Sequence, residues 1–293
     1  MDMLLSFRPL FDLFLIHLGF AYSQYIVLRA GAFSIGNVGL SAIGAYTAAI
    51  LTVNYGLPLP VTLLAGTFAG LAFGALLAIP LARLRGVYQA IASLAFVQIV
   101  LSANLYAENI TGGAMGFSGI PKLVGTGTLL VCALATIYVM LAISRSRLGR
   151  AFDAVREDEG MAVSLGINAA RTQAVAYMIS GLLAGLFGSL EALHSYAVEP
   201  NQFGFHLIIV VLSYVVLGGR RSIWGPLVGV ALLIALPEIS RPLADARIMI
   251  YGLILMAVMN FMPRGIVDTL VARRARRRSR AATPEVRQAE VKG

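Results

Sequence analysis

"GVYQAIASLAFVQIVLSANLYA", residues 86–107, contains no Asp, Glu, Lys or Arg. Its length is close to the roughly 20 residues that carry an α-helix across about 30 Å of hydrocarbon. Two more uncharged runs of similar length follow, Leu123–Ser144 and Thr172–Leu190. The whole chain of 293 residues is 58% hydrophobic and 13% charged, with a mean hydropathy of +0.82. A soluble domain of this length needs a far more polar surface. The fold class is therefore all-α: a polytopic helical membrane protein.

Outward from that stretch, nine apolar segments can be drawn, at about 10–28, 34–53, 60–82, 86–106, 124–143, 172–193, 204–217, 224–238 and 247–262. The expected count is 8–9 spans, because the seventh and eighth are short and suit broken or re-entrant helices. Asp2 stands where a signal peptide carries its basic region, so Pro9–Leu28 reads as a retained first span. With residues 144–173 cytoplasmic, alternation puts Arg29, Arg83, Arg85, Arg220, Arg221 and the C-terminal tail on the same side. The other side receives Arg8, Lys122, Arg241 and Arg247, diluted by Asp2, Glu108, Glu199 and Asp245. Lys and Arg divide as the positive-inside rule requires, with the N-terminus outside and the C-terminus cytoplasmic.

The net charge of +9 is concentrated late, in Arg273, Arg274, Arg276, Arg277, Arg278 and Arg280. In an apolar chain this cluster reads as a cytoplasmic tail near anionic membrane lipid, not as a nucleic-acid site. A permease domain at 1–265 followed by an unstructured basic tail at 266–293 is the expected organisation. The single cysteine, Cys132, lies in an apolar run and reads as a buried, inert thiol.

Small residues recur at helical spacing in "AGTFAGLAFGALLA", 65–78, and "SGLLAGLFGSL", 180–190. Gly181, Gly185 and Gly188 share one helix face, the pattern that lets helices approach closely in lipid. Polar groups inside apolar segments are functional candidates because each costs free energy unless hydrated or paired. Gln89, Ser93, Gln98 and Asn104 fall in the fourth segment. They stand as candidates for lining a translocation path, with interhelical hydrogen bonding as the equal alternative. The following "ENITGGAMGFSGIP", 108–121, suits a short loop or half-membrane hairpin. Glu191, His194, Glu199 and His206 read as an interfacial cluster in preference to a metal site, since no HExxH spacing is present.

No GxxxxGK[ST] loop and no Gly-x-Ser-x-Gly elbow with His partners occurs. An enzyme is not expected, no cofactor is expected in this chain, and any ATP hydrolysis belongs to another polypeptide.

The exception to this apolar pattern is "SRSRLGRAFDAVREDEGMAVSLGINAARTQ", 144–173, with five Arg and four acids. Phe152 and Val155 lie three apart. Arg150–Asp153, Asp153–Arg156 and Arg156–Glu159 set opposite charges at helical spacing over a helix from about Arg150 to Val163. Gly166 suits its end and Asn168 the cap of the next helix. A solvated loop helix and a helix docking into a partner's groove fit this pattern equally.

These residues carry a resemblance. "GRAFDAVREDEGMAVSLGIN" resembles a signature of branched-chain amino acid ABC transporter permeases of the LivM type. "AGAFSIGNVGLSAIGAYTAA", "GVYQAIASLAFVQI", "TGGAMGFSGIP" and "GGRRSIWGPLVGVALLIALPE" are similar to further motifs of that family, in order from about residue 30 to 265. The resemblance implies a bacterial inner-membrane permease bundle paired with a second, LivH-type permease subunit. It also implies two ATP-binding subunits that hold ATP and Mg, and a periplasmic substrate-binding protein. Residues 144–171 would hold the helix that couples to the ATPase, with Arg156, Glu157, Asp158, Glu159, Ala162 and Gly166 as its carriers. Of the Glu-Ala-Ala-x-x-x-Gly pattern common in importers, only Ala162-x-x-x-Gly166 fits. Asn37 stands where relatives often have His, and Arg220–Arg221 where they often have small or apolar residues. The implied cargo is branched-chain or related amino acids. Urea, amides and aromatic carboxylates are the family's other cargoes, and an ion-coupled secondary transporter is the competing class.

Overall fold

The computed structural model describes residues 8–239, Gly252, Met256 and 265–269. The ninth apolar segment and most of the Arg-rich tail lie outside the described residues. The chain divides into two compact units, Met1–Ser213 and Tyr214–Gly293.

The first unit holds α1 (Arg8–Arg29), α2 (Asn37–Tyr55), α3 (Leu59–Leu81), α4 (Val87–Tyr106), the short α5 (Glu108–Thr111), α6 (Thr126–Arg145), α7 (Arg147–Glu157), α8 (Glu159–Ser164) and α9 (Ala169–His194). It also holds the first part of α10 (Phe205–Gly218). Among the described residues, seven helical segments are long and apolar enough to cross a membrane. The 3₁₀ turn Pro200–Phe203 extends the short seventh segment to Pro200–Gly218. The eighth, α11 (Trp224–Ile239), remains shorter. This is a polytopic helical protein, as its hydropathy required.

The sequence also explains where these helices stop. Gly56 takes a left-handed conformation after α2, and Pro58 caps α3 from an extended backbone. Asn168 accepts the Arg171 N–H at 2.9 Å and starts α9 where expected.

α9 is the centre of the first unit. It runs along α3 and α2 and also packs on α1. Small residues make this possible. A Cβ on Gly70 would stand 2.7 Å from Gly185 Cα, and one on Gly74 would stand 3.1 Å from Gly181 Cα. Gly44 of α2 meets the Gly185 backbone, and Gly188 meets that of Ser41. The Phe187 ring sits directly on Gly19 of α1. In lipid, association depends on packing of this kind, since burial from water no longer drives it. The Ser189 hydroxyl donates to the carbonyls of Gly185 (2.7 Å) and Gly44 (3.1 Å), adding a bond between helices.

Loops that alternation assigns to one side do meet. At one end of the first unit, the turn at 30–36 and the 82–86 connection lie beside α7 and α8. At the other end, β1 (Phe117–Ser118) pairs antiparallel with β2 (Ala197–Val198). The Gly-rich stretch 108–121 is thus a packed loop. Its glycines at 112, 113, 116 and 119 all take positive φ, and the Ile120 N–H donates to the Tyr196 carbonyl.

In the second unit, the end of α10 and α11 close on each other through Gly218, Gly225 and Gly229. Asp268 is buried, and its carboxylate accepts the N–H groups of Arg221 and Ser222, both at 2.9 Å. Residues 266–269 are helical.

Candidate coupling site and translocation residues

The helix expected over Arg150–Val163 is two helices. Asp158 leaves the helical region at φ −156°, ψ 113°, and its Oδ1 accepts the Met161 N–H at 2.9 Å. An aspartate that caps a new helix competes with continuation of the old one. Glu159 lies past this break, and its carboxylate meets Arg85 from the 82–86 connection at 2.9 Å. That pair is exposed and worth about 0–1 kcal/mol.

α7 buries one face: Phe152 and Val155 point inward, and Gly149 lies against the backbone of Ser144. Val155 packs with Ala162 and Ala169, flanked by Ala154 and Ile167. Ala162 is therefore a core residue joining α8 to α7 and α9. Arg156 is mostly buried and contacts Asp153 (3.4 Å) and Glu157 (3.5 Å). Gly166 takes φ +83°, and the Ile167 N–H returns to the Ala162 carbonyl, closing α8. The six candidates Arg156, Glu157, Asp158, Glu159, Ala162 and Gly166 are thus gathered at one end of the bundle. Several of them build the element, leaving other residues to face outward.

Those other residues are apolar. Met161 is 64% exposed, Val163 56% and Leu165 73%. Sequence reasoning missed them, although Met161 and Leu165 at spacing four were a legible signal. In the same segment Glu157 is exposed and pairs with Arg156, and half-buried Glu159 pairs with Arg85. The end thus exposes apolar side chains among charges of both signs, with Arg147, Arg150 and Arg171 exposed as well.

The four candidates on α4 divide. Gln89 is 2% exposed and Ser93 is fully buried. Gln89 Oε1 accepts the Phe33 N–H at 2.9 Å, and its Nε2 donates to the Leu81 carbonyl at 3.1 Å. Ser93 Oγ accepts the Ile35 N–H at 3.0 Å and donates to the Ala90 carbonyl at 2.9 Å. Hydrogen bonding occupies both side chains in holding the 29–36 turn. Gln98 and Ser102 are exposed instead. Asn104 is half-buried, and its Nδ2 is buried without a hydrogen-bond partner among the described residues. The polar residues of α4 therefore have different surroundings: Gln89 and Ser93 are buried against the 29–36 turn, and Gln98 and Ser102 are exposed.

At the opposite end, His194 Nδ1 lies 3.2 Å from the Val124 carbonyl, and Nε2 lies 3.6 Å from Asp12 Oδ2. Buried Asp12 of α1 is a partner that sequence spacing did not signal. Glu199 and His206 are exposed. Among the described residues, no group of three His, Cys, Asp or Glu is placed to hold a metal. Cys132 is only half-buried, where burial was expected.

Comparison with known proteins agrees with this architecture. Residues 11–262 match the family described as branched-chain amino acid transport system / permease component. The high-affinity branched-chain amino acid transport system permease protein LivM of Salmonella typhimurium is 32% identical over 276 residues, 83% of this chain. LivM of Escherichia coli K12 is 32% identical over 277 residues. The permease protein LivH of Salmonella typhimurium is 29% identical over 171 residues, covering 58% of this chain and 55% of LivH. The aligned region spans 65% of the length of the two LivM relatives. No solved structure matches the chain. The chain is a multi-pass helical membrane protein and belongs to the family of branched-chain amino acid transport system permease components.

Proposed function

We propose that this chain is a permease subunit of an ATP-driven importer that carries branched-chain or related amino acids across the bacterial inner membrane. The observation that carries this reading is the charged end with exposed apolar side chains, built by α7 and α8 on an otherwise apolar bundle of this family. A groove on a soluble ATP-binding subunit would take Met161, Val163 and Leu165 as apolar anchors, with Glu157 and Glu159 in the same segment. ATP and Mg then belong to those two subunits. This end and the C-terminus face the cytoplasm, in keeping with the alternation that gives Arg29, Arg83, Arg85, Arg220 and Arg221 to one side.

The second permease, of LivH type, would cover the open side of α4, where Ile91 and Ile99 are exposed. Gln98 and Ser102 share the open side of α4, a poor surface for lipid. Between two permeases they would line the path, with Asn104 near its outer mouth. Gln89 and Ser93 would support that wall from behind. A substrate-binding protein would deliver cargo at the end carrying β1 and β2.

An ion-coupled transporter draws on one observation, the buried Asp12–His194 contact. That contact lies at the last residue of α9, near a segment end and away from mid-depth. The deciding experiment is uptake of labelled leucine into right-side-out vesicles that hold the whole assembly and are loaded with ATP, with the binding protein outside and ion gradients collapsed. Uptake that requires ATP supports the proposal. Uptake that follows the ion gradient and ignores ATP overturns it. Competition by other amino acids, urea, amides or aromatic carboxylates then ranks the cargo.

A further inference from the structure

Arg29 is the last residue of α1, and its side chain is only 6% exposed. Its Nε donates to Asp153 Oδ1 at 3.0 Å, and its Nη2 donates to Asp153 Oδ2 at 2.8 Å. This two-point contact fixes orientation as well as distance, which a single ion pair does not. Asp153 stands midway along α7. Just past Arg29, Gly31 at φ +78° lets the turn lie on α7. A Cβ there would stand 3.0 Å from Arg156 Cα.

The same turn is gripped from the bundle side. Gln24 Nε2 of α1 donates to the Ser34 carbonyl at 2.8 Å. Gln89 and Ser93 of α4 accept the N–H groups of Phe33 and Ile35. α2 begins directly afterwards, at Asn37. A free connection of this length would bend when pushed. This one has its backbone groups held in sequence, at 33, 34 and 35, by side chains from two helices.

Resting on the coupling reading above, we propose that Arg29 is a positioning residue for coupling. The 29–36 turn, clamped to α7 by Arg29–Asp153 and to α4 by Gln89 and Ser93, is the link through which displacement of α7 reaches the path-lining helix. The route explains why two buried polar residues of α4 face a loop. It also gives α7 a firm attachment that the exposed Arg85–Glu159 pair does not provide.

The test uses the complete complex of both permeases, the ATP-binding subunits and the binding protein, reconstituted in liposomes. The readout is labelled leucine transported per ATP hydrolysed. Arg29→Ala and Asp153→Asn are each expected to lower this ratio at least about fivefold, the lower end of coupling between linked sites. Assembly of the complex should persist. Asp153→Asn is nearly isosteric and half-exposed, so it remains informative if Arg29→Ala assembles poorly. An unchanged ratio in Asp153→Asn overturns the proposal. Failure of the underlying reading is separate: wild-type complex would then transport leucine without hydrolysing ATP.

Discussion

Gly70 and Gly185 lie backbone against backbone, so that a Cβ on either would stand within 3 Å of the other's Cα. Gly74 and Gly181 repeat the contact one turn along. α3 and α9 therefore meet along a seam with no side chain between them. Gly185→Val is expected to force the helices apart and cost about 1–3 kcal/mol, as overpacking of a tight core does. The thermal midpoint of the detergent-solubilised protein, followed by size-exclusion chromatography, should fall. Gly127→Ala is the matched control: it sits in α6, and a Cβ added there would meet nothing within 4 Å. Equal midpoints for the two variants would show that the seam carries no stability.

The polar residues of α4 separate on the same kind of measurement. Gln89→Leu strips the partners from the Phe33 N–H and the Leu81 carbonyl. Unsatisfied buried groups cost about 1–3 kcal/mol each. Its thermal midpoint should fall. Gln98→Ala removes an exposed side chain and should leave the midpoint within about 0.5 kcal/mol of wild type. Leucine uptake should nonetheless drop in Gln98→Ala if this residue faces the path. Normal uptake in Gln98→Ala would remove it from the path, and an unchanged midpoint in Gln89→Leu would refute its anchoring role.

The helices and the glycine seam were legible because both follow from local spacing. Uncharged runs set helix length, and Gly181 and Gly185 declare a face four residues apart. Asn168 announced the start of α9 in the same local way. What spacing does not encode is partnership at a distance. Arg29 and Asp153 are separated by 124 positions, and nothing in either neighbourhood names the other. Gln89 is similar: its helix position is evident, but the Phe33 N–H that occupies it is known only once α4 and the 29–36 turn are packed. The break at Asp158 was missed for another reason. A charge pattern at spacing three continues across it, while the capping bond to Met161 ends the helix.

Asp268 gives a prediction for the second unit. Its carboxylate gathers two consecutive backbone N–H groups, and Gly219 packs against it. Asp268→Ala is expected to loosen the 218–222 turn. Arg220 and Arg221 are exposed there and form a natural trypsin site. Cleavage at these arginines in detergent should accelerate several-fold, since hydrogen bonds to a charged acceptor contribute about 1.5–3 kcal/mol each. An unchanged cleavage rate, mapped by mass spectrometry, would mean that the carboxylate does not hold the turn.

Met161 and Leu165 lie on one side of the α8 turn, exposed to solvent, while Ala162 between them is buried against Val155 and Ala169. Substitution at the outer pair therefore leaves the local core untouched. Met161→Asp with Leu165→Asp should weaken association with the ATP-binding subunits more than tenfold, or about 1.4 kcal/mol. Copurification on a tagged permease reads this directly, and the thermal midpoint of the isolated chain should stay the same. Ala162→Asp should do the reverse in order of cause, unfolding the α7–α8 corner first through a buried charge. If the double aspartate variant still holds its ATP-binding subunits at wild-type strength, this apolar pair is not the docking surface. The neighbouring charges, tested by Glu157→Lys, would then have to carry the contact alone. An exposed charge of that kind contributes more to steering and orientation than to affinity.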